Sequence, residues 1–185
     1  TFNEIVISVD TFRSDVAKKA ILNGASIIND ISSGELDENM FKCVAELGVP
    51  YIMMHMQGTP QTMQKKPYYK NVIIDIIKNL SKKIHLARKH GVLDIIVDPG
   101  FGFGKTIDHN YEILENLEHL KELECPILIG VSRKSMIYKL LNNSANESLN
   151  GTTCLNTISI LKGASILRVH DVKEAKEVIQ LTSFL

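Results

Sequence analysis

The most chemically specific stretch of the chain is Asp98-Pro-Gly-Phe-Gly-Phe-Gly-Lys-Thr106, in which alternating glycines follow a carboxylate. Glycine accepts backbone conformations and close approaches that a side chain blocks, so a ligand can lie against such a loop. The spacing is not that of a nucleotide cradle. A Walker A loop needs four residues between its first glycine and the Gly-Lys pair, and Gly100 leaves three before Gly104. A dinucleotide fingerprint opens a helix directly, whereas the helical pattern here begins only near Asp108. Asp98 is the first candidate ligand. A carboxylate can accept two parallel N–H bonds from an amidine-like or 2-aminopyrimidinone edge, which joins charge to orientation. Its competing role is to tie down the glycine loop. Asn29 offers a donor and an acceptor to the same edge, or else caps the turn that follows it. Asp10 stands at another strand end, where N-capping the next helix is the simpler role.

A second group suits an anion. Arg133 and Lys134 follow Ser132, while Arg168-Val-His170 puts Arg168 and His170 on one side of a strand. Fixed Arg and His donors stabilise the negative charge that develops on a departing phosphate group. The alternatives are a solvent-facing Lys134 and a salt bridge from Arg168 and His170 to Asp171. His55 lies in Met53-Met-His-Met56, whose soft side chains can line a flat ring or simply pack in the core.

Other chemistries are excluded. No Gly-x-Ser-x-Gly elbow supports a serine hydrolase, and no His-x-His or His-Glu-x-x-His pair supports a zinc site. The tract Gln61–Lys70, with Lys65, Lys66 and Lys70 beside Tyr68 and Tyr69, is basic and aromatic. Yet 21 Lys+Arg balance 21 Asp+Glu with no longer basic stripe, so the tract reads as a solvated loop and no nucleic-acid partner is expected. No apolar run reaches the roughly 20 residues of a membrane helix, so no membrane partner is expected. Cys43, Cys125 and Cys154 are distant and odd in number, which suits small buried side chains in a reducing compartment, and with no export signal in view a cytoplasmic location.

These residues need elements to hold them. Short β-branched runs at Ile5–Val9, Ser26–Ile28, Tyr51–Met54, Ile95–Val97, Ile127–Val131 and Ser165–Val169 predict six strands. Amphipathic patterns at 16–21, Leu36–Leu47, Val72–His90, His109–Leu120, Arg133–Leu141 and Val172–Leu181 predict the following helices, with an additional one over Ser148–Leu161. Strands apolar on both sides and separated by helices predict a parallel sheet in an α/β fold. A doubly wound sheet and a barrel both accommodate six strands. Because chemically consequential residues stand at the C-terminal ends of all six, the expected architecture is a (β/α)8 TIM barrel, of which about six βα units lie in this sequence. A barrel usually needs about 250 residues, so residues 1–185 are expected to be one barrel domain lacking two N-terminal units. Such a remnant leaves strand edges unpaired.

Together, Ser8-Val-Asp-Thr11, Ile28-Asn-Asp30, Met54-His-Met-Gln-Gly58, Asp98 to Lys105, Ser132-Arg-Lys-Ser135 and Arg168-Val-His-Asp171 resemble the dihydropteroate synthase family of folate biosynthesis. The resemblance implies a (β/α)8 barrel that joins p-aminobenzoate to 6-hydroxymethyl-7,8-dihydropterin diphosphate, releasing diphosphate. It implies that Asp98, Asn29 and Asp10 hold the pterin edge, that Met54 and Phe103 contact its ring, and that Lys134 bonds the pterin and shapes the p-aminobenzoate site with Ser135. Arg168 and His170 would bind diphosphate, so Lys134, Arg168 and His170 carry the catalytic expectation. Mg²⁺ accompanies the diphosphate in this family, its Asn partner is expected outside this sequence, sulfonamides compete as ligands, and the enzyme is commonly a homodimer. A methyltetrahydrofolate-binding methyltransferase module, a noncatalytic pterin-binding or scaffold domain and a metal-dependent barrel hydrolase are the competing readings. The Arg/Lys-rich rim weighs against the first.

Overall fold

The structure is a computed structural model that describes residues 4–58 and 67–185, so the Lys65 and Lys66 portion of the basic tract lies outside the described residues. The chain forms two compact units, residues 1–55 with 78–98 and residues 56–77 with 99–185.

In the first unit, β1 (Ser8–Asp10), β2 (Ile27–Asp30), β3 (Tyr51–Met54) and β4 (Ile95–Asp98) form a parallel sheet in the order β1-β2-β3-β4. Helices α1 (Ser14–Leu22) and α2 (Met40–Leu47) follow β1 and β2, and α2 stops where Gly48 takes a left-handed φ of 62°. The register pairs Asp10 with Asn29, Asn29 with Ile52, Ile52 with Ile96, and Met54 with Asp98. Residues abreast in a parallel sheet share a face, as do residues two apart on one strand. One face therefore carries Asp10, Asn29, Met54 and Asp98, and the other carries Ile28, Asp30, Tyr51, Met53 and Val97.

The second of these faces is sealed. Ile28, Asp30, Tyr51, Met53 and Val97 are all fully buried, and Phe41 of α2 meets the Tyr51 ring edge-on at 5.9 Å. A buried carboxylate survives in such a place only if its oxygens are satisfied. Asp30 accepts from the Tyr51 hydroxyl at 2.6 Å, the Ser32 amide at 2.8 Å, the Ser32 hydroxyl at 2.7 Å and the Gly34 amide at 2.8 Å. Lys83, from α3 (Val72–Lys89), is also buried; it donates to Ser32 O at 3.1 Å and pairs with Glu35 at 2.8 Å. The loop leaving β2 is thus fixed to the sheet at its back. The first strand is shorter than the predicted Ile5–Val9. Only Ser8–Asp10 has ladder partners, and Ile5, Val6 and Ile7 are exposed.

In the second unit, β5 (Leu128–Ile129) and β6 (Ile166–Leu167) pair in parallel, 38 residues apart in sequence at each register position. The helix predicted over His109–Leu120 divides into α4 (Ile107–Glu115) and a 3₁₀ helix over Leu117–Leu123. Its leucines at 117, 120 and 123 recur every three residues and are all buried, the period of a 3₁₀ turn. The helix predicted over Arg133–Leu141 shrinks to α5 (Ser135–Tyr138), because Arg133 takes φ 55° before it and Asn142 takes φ 52° after it. Helices α6 (Leu149–Leu161) and α7 (Val172–Thr182) match their patterns closely. Cys43 and Cys125 are half-buried, but Cys154 is exposed, contrary to the expectation for all three. It falls outside the buried stripe of α6, which comprises Thr152, Leu155, Asn156 and Ser159.

Tyr51→Phe is expected to lower stability by about 1–3 kcal/mol at neutral pH, the worth of a hydrogen bond to a buried carboxylate, in urea unfolding. Burial and then the neighbouring Asp30 push the Tyr51 hydroxyl well above its ordinary value of 10.0. Stabilisation by the neutral phenol is complete below that value and is lost as the unfolded chain ionises above it. The difference between wild type and Tyr51→Phe should therefore narrow above about pH 10.

Candidate functional site

The other face of the first sheet gathers the residues predicted for a heterocycle edge. Asn29 Nδ2 donates to Asp10 Oδ1 at 2.7 Å, while no donor among the described residues is recorded for Asn29 Oδ1, which leaves that oxygen as an acceptor. Neither capping alternative is realised. Helix α1 receives no cap from Asp10; its Ser14 amide donates instead to Asp37 Oδ2 at 2.7 Å, and this bond holds the Asp37 carboxyl below its ordinary range. Asn29 spends its amide on Asp10 and not on its own turn. Asp98 ends β4 with only 8% of its surface exposed, as does Asn29 on β2. Met54, beside Asp98 in the register, is buried, and its carbonyl is held by the Ser33 hydroxyl at 2.8 Å. His55 is buried, with its amide donating to Asp98 O at 2.9 Å.

The second unit holds the glycine loop and the cations. The loop is built by contacts that sequence reasoning missed. Lys105, buried, donates to the carbonyls of Gly100 and Phe103, both at 2.9 Å. Asn110 of α4 accepts from the Gly102 amide at 2.8 Å, and the Tyr69 hydroxyl donates to Gly104 O at 2.9 Å. Gly104 has φ 63°, and a Cβ there would lie 2.5 Å from Gln57 O, so no other residue fits. Thr106 caps α4 by accepting from the His109 amide at 3.1 Å, which places the helix start beyond the loop.

Lys134 is not a solvent lysine. Its ammonium donates to Phe101 O and lies 5.0 Å from the centre of the Phe103 ring, which brings two predicted site residues together. Ser135 opens α5 beside it, half-buried. The predicted cation cluster is divided. Arg133 is spent on Asp171 through a two-pronged contact, Nη2 to Oδ1 at 2.5 Å and Nε to Oδ2 at 3.2 Å. Asp171 is thus the partner of Arg133, where the sequence suggested Arg168 and His170, and the Arg133 bond lowers its carboxyl below the ordinary value. Arg168 and His170 are exposed at the end of β6. His170 is held from behind: Ser132 Oγ lies 2.9 Å from its Nδ1 and accepts from its amide at 3.2 Å. The contact follows the constant 38-residue offset between the two strands, which runs on to Ser132 and His170 and which no local sequence pattern signals.

Residues 1–170 match the family described as pterin binding enzyme. A dihydropteroate synthase of Escherichia coli strain K12 is 41% identical over 180 residues, a match covering 96% of this chain and 64% of that relative. The chain thus spans somewhat less than two thirds of that relative. Among solved structures, the Yersinia pestis dihydropteroate synthase with a sulfonamide drug complex superposes with a TM-score of 0.94 at 38% identity, over 97% of this chain and 66% of that one. The Thermus thermophilus dihydropteroate synthase in complex with 4-aminobenzoate gives 0.93 at 33% identity, over 98% and 74%. The same enzyme has also been solved in complex with 6HMPPP. The parallel strands and following helices are accordingly those of a partial (β/α) barrel. The chain belongs to the pterin binding enzyme family, in its dihydropteroate synthase branch.

Proposed function

We propose that this chain is the pterin- and anion-binding part of a dihydropteroate synthase, one barrel domain lacking its first two units, which condenses 6-hydroxymethyl-7,8-dihydropterin diphosphate with p-aminobenzoate. The observation that carries the reading is the polar face of the first sheet, which carries Asp10, Asn29 and Asp98, with the Asn29 amide oxygen left as an acceptor. The relatives solved with 4-aminobenzoate, 6HMPPP and a sulfonamide drug support the same substrate class and sulfonamides as competing ligands.

In this reading Asp98 accepts two N–H bonds from the aminopyrimidinone edge, Asn29 Oδ1 accepts a third, and Asp10 orients Asn29. Met54 lies along the ring. Phe103 contacts it with the Lys134 ammonium over its face, and Lys134 and Ser135 frame p-aminobenzoate. The reaction is substitution at the exocyclic methylene carbon. The C–O bond to diphosphate breaks as the electron-rich dihydropterin shares the developing positive charge, and Arg168 and His170 take up the negative charge on the leaving oxygens. The amine nitrogen of p-aminobenzoate then forms the C–N bond and loses a proton. No enzyme nucleophile takes part, so the protein contributes orientation and charge stabilisation. Among the described residues no group of three or more His, Cys, Asp or Glu side chains is placed to hold a metal ion. Mg²⁺ would accompany the diphosphate, with its Asn ligand expected outside this sequence, and no step runs through it. A cytoplasmic homodimer completes the reading.

Calorimetric titration separates the two sets of residues. Asp98→Asn should weaken the dihydropterin diphosphate and an unphosphorylated pterin alike, by about 100-fold for two charge-assisted bonds. Arg168→Ala should weaken only the phosphorylated ligand, by about 10- to 100-fold. Unchanged binding of both ligands in both variants contradicts these roles. In turnover, this chain alone should release no diphosphate, whereas a protein that also supplies the remaining third of the relatives' length should release it in a p-aminobenzoate-dependent manner. In that protein Lys134→Ala should cut the rate by at least about tenfold.

A further inference from the structure

The β5–β6 register continues past its last ladder pair. Leu128 faces Ile166 and Ile129 faces Leu167, and the same 38-residue offset carries Ser132 to His170. Ser132 is buried, with 5% of its surface exposed, so its hydroxyl hydrogen needs an acceptor within the protein. One direction of the contact is settled by chemistry: the His170 amide is a donor, so Ser132 Oγ is its acceptor at 3.2 Å. The other contact of that oxygen is His170 Nδ1 at 2.9 Å, and no further acceptor for the hydroxyl is recorded among the described residues. If Nδ1 carried the hydrogen, Oγ would receive two donors and its own hydrogen would be stranded in a buried site, which costs the full desolvation of that group. With the hydrogen on Nε2, the Ser132 hydroxyl has Nδ1 as its acceptor.

We propose that Ser132 is a positioning residue that fixes the His170 imidazole as the neutral tautomer carrying its hydrogen on Nε2, so that this exposed edge donates to a phosphate or diphosphate oxygen. The inference rests on the anion-binding role given to His170 above and adds to it the group that sets the direction of its donor. The charged neighbours leave that task to Ser132. Asp171, the carboxylate next in sequence, is occupied by both prongs of Arg133, and Arg168 lies on the same side of β6 as His170. In the neutral ring the Nε2 hydrogen is then available to an anion because Nδ1 is kept as the acceptor.

Two-bond ¹H–¹⁵N correlation spectra of the ¹⁵N-histidine-labelled full chain read the tautomer directly, at a pH where the ring signals report neutral imidazole. Wild type should show Nδ1 bare and Nε2 protonated. Ser132→Ala should lower the tautomer ratio by about tenfold, and Ser132→Thr, which keeps the hydroxyl, should restore it. Inorganic diphosphate should shift the Nε2 signal in wild type and Ser132→Thr, and should bind Ser132→Ala up to about tenfold more weakly. A wild-type ring protonated at Nδ1, or a ratio unchanged in Ser132→Ala, overturns the role of Ser132 and leaves anion binding intact. The stated tautomer with ring signals unmoved by diphosphate overturns the donor role and the anion-binding reading beneath it.

Discussion

Parallel hydrogen-bond register decides which side chains of this chain stand together. Once the amides of β2 are paired to β1, Asp10 has Asn29 for a neighbour, and pairing β4 to β3 sets Asp98 beside Met54. A slip of one residue would turn every side chain of a strand to the other face. Asn29 would then enter the face that holds Tyr51 and Met53, and Ile28 and Asp30 would leave it. The apolar residues of that face oppose such a slip through their burial. Asp30 opposes it more sharply, because its four donors exist at only one register. A buried carboxylate on one side of the sheet thus determines what the other side presents.

The loops that follow the strand ends raise a second problem, since they leave backbone carbonyls without ladder partners. Three lysines answer it. Lys83 donates to Ser32 O beyond β2, Lys105 to the carbonyls of Gly100 and Phe103, and Lys134 to Phe101 O. An ammonium carries three hydrogens on a flexible stem and can join carbonyls that no regular structure reaches. Lys83 and Lys105 are consequently buried although lysine is seldom found inside. The glycine loop is therefore a shape held from within by a cation.

What could be read in the sequence follows from how local each signal is. β3 appears over Tyr51–Met54 as predicted, and α6 and α7 shift by a single residue at one end, because their patterns lie within one element. Asp98, Asn29, Lys134 and His170 were legible as candidates since each combines a reactive side chain with a strand end. Their partners were not. Tyr51 reaches Asp30 across 21 residues, and Ser132 reaches His170 across 38, through a register that no local pattern encodes. The divided α4 is another kind of failure. Leu117, Leu120 and Leu123 carry the three-residue period of the later segment, but no sequence signal marks the turn at Asn116, with φ −109° and ψ 22°, that parts it from α4.

Arg133 shows how backbone and charge together assign roles to adjacent residues. A non-glycine residue at φ 55° costs about 1 kcal/mol, and the two-pronged bond to Asp171 with the amide bond to Thr152 Oγ1 at 3.2 Å offsets it. Asp171, held below its ordinary carboxylate range, adds stability that is present above that range and is lost as pH falls through its lowered value. The left-handed turn then returns the next residue to extended geometry, with Lys134 at φ −83° and ψ 159°, its ammonium back over the Phe103 ring. Two consecutive cations, alike in sequence, are thereby parted: Arg133 braces the β5–β6 ends, and Lys134 closes the glycine loop. Arg133 and Asp171 thus compensate each other's charge where β5 and β6 end.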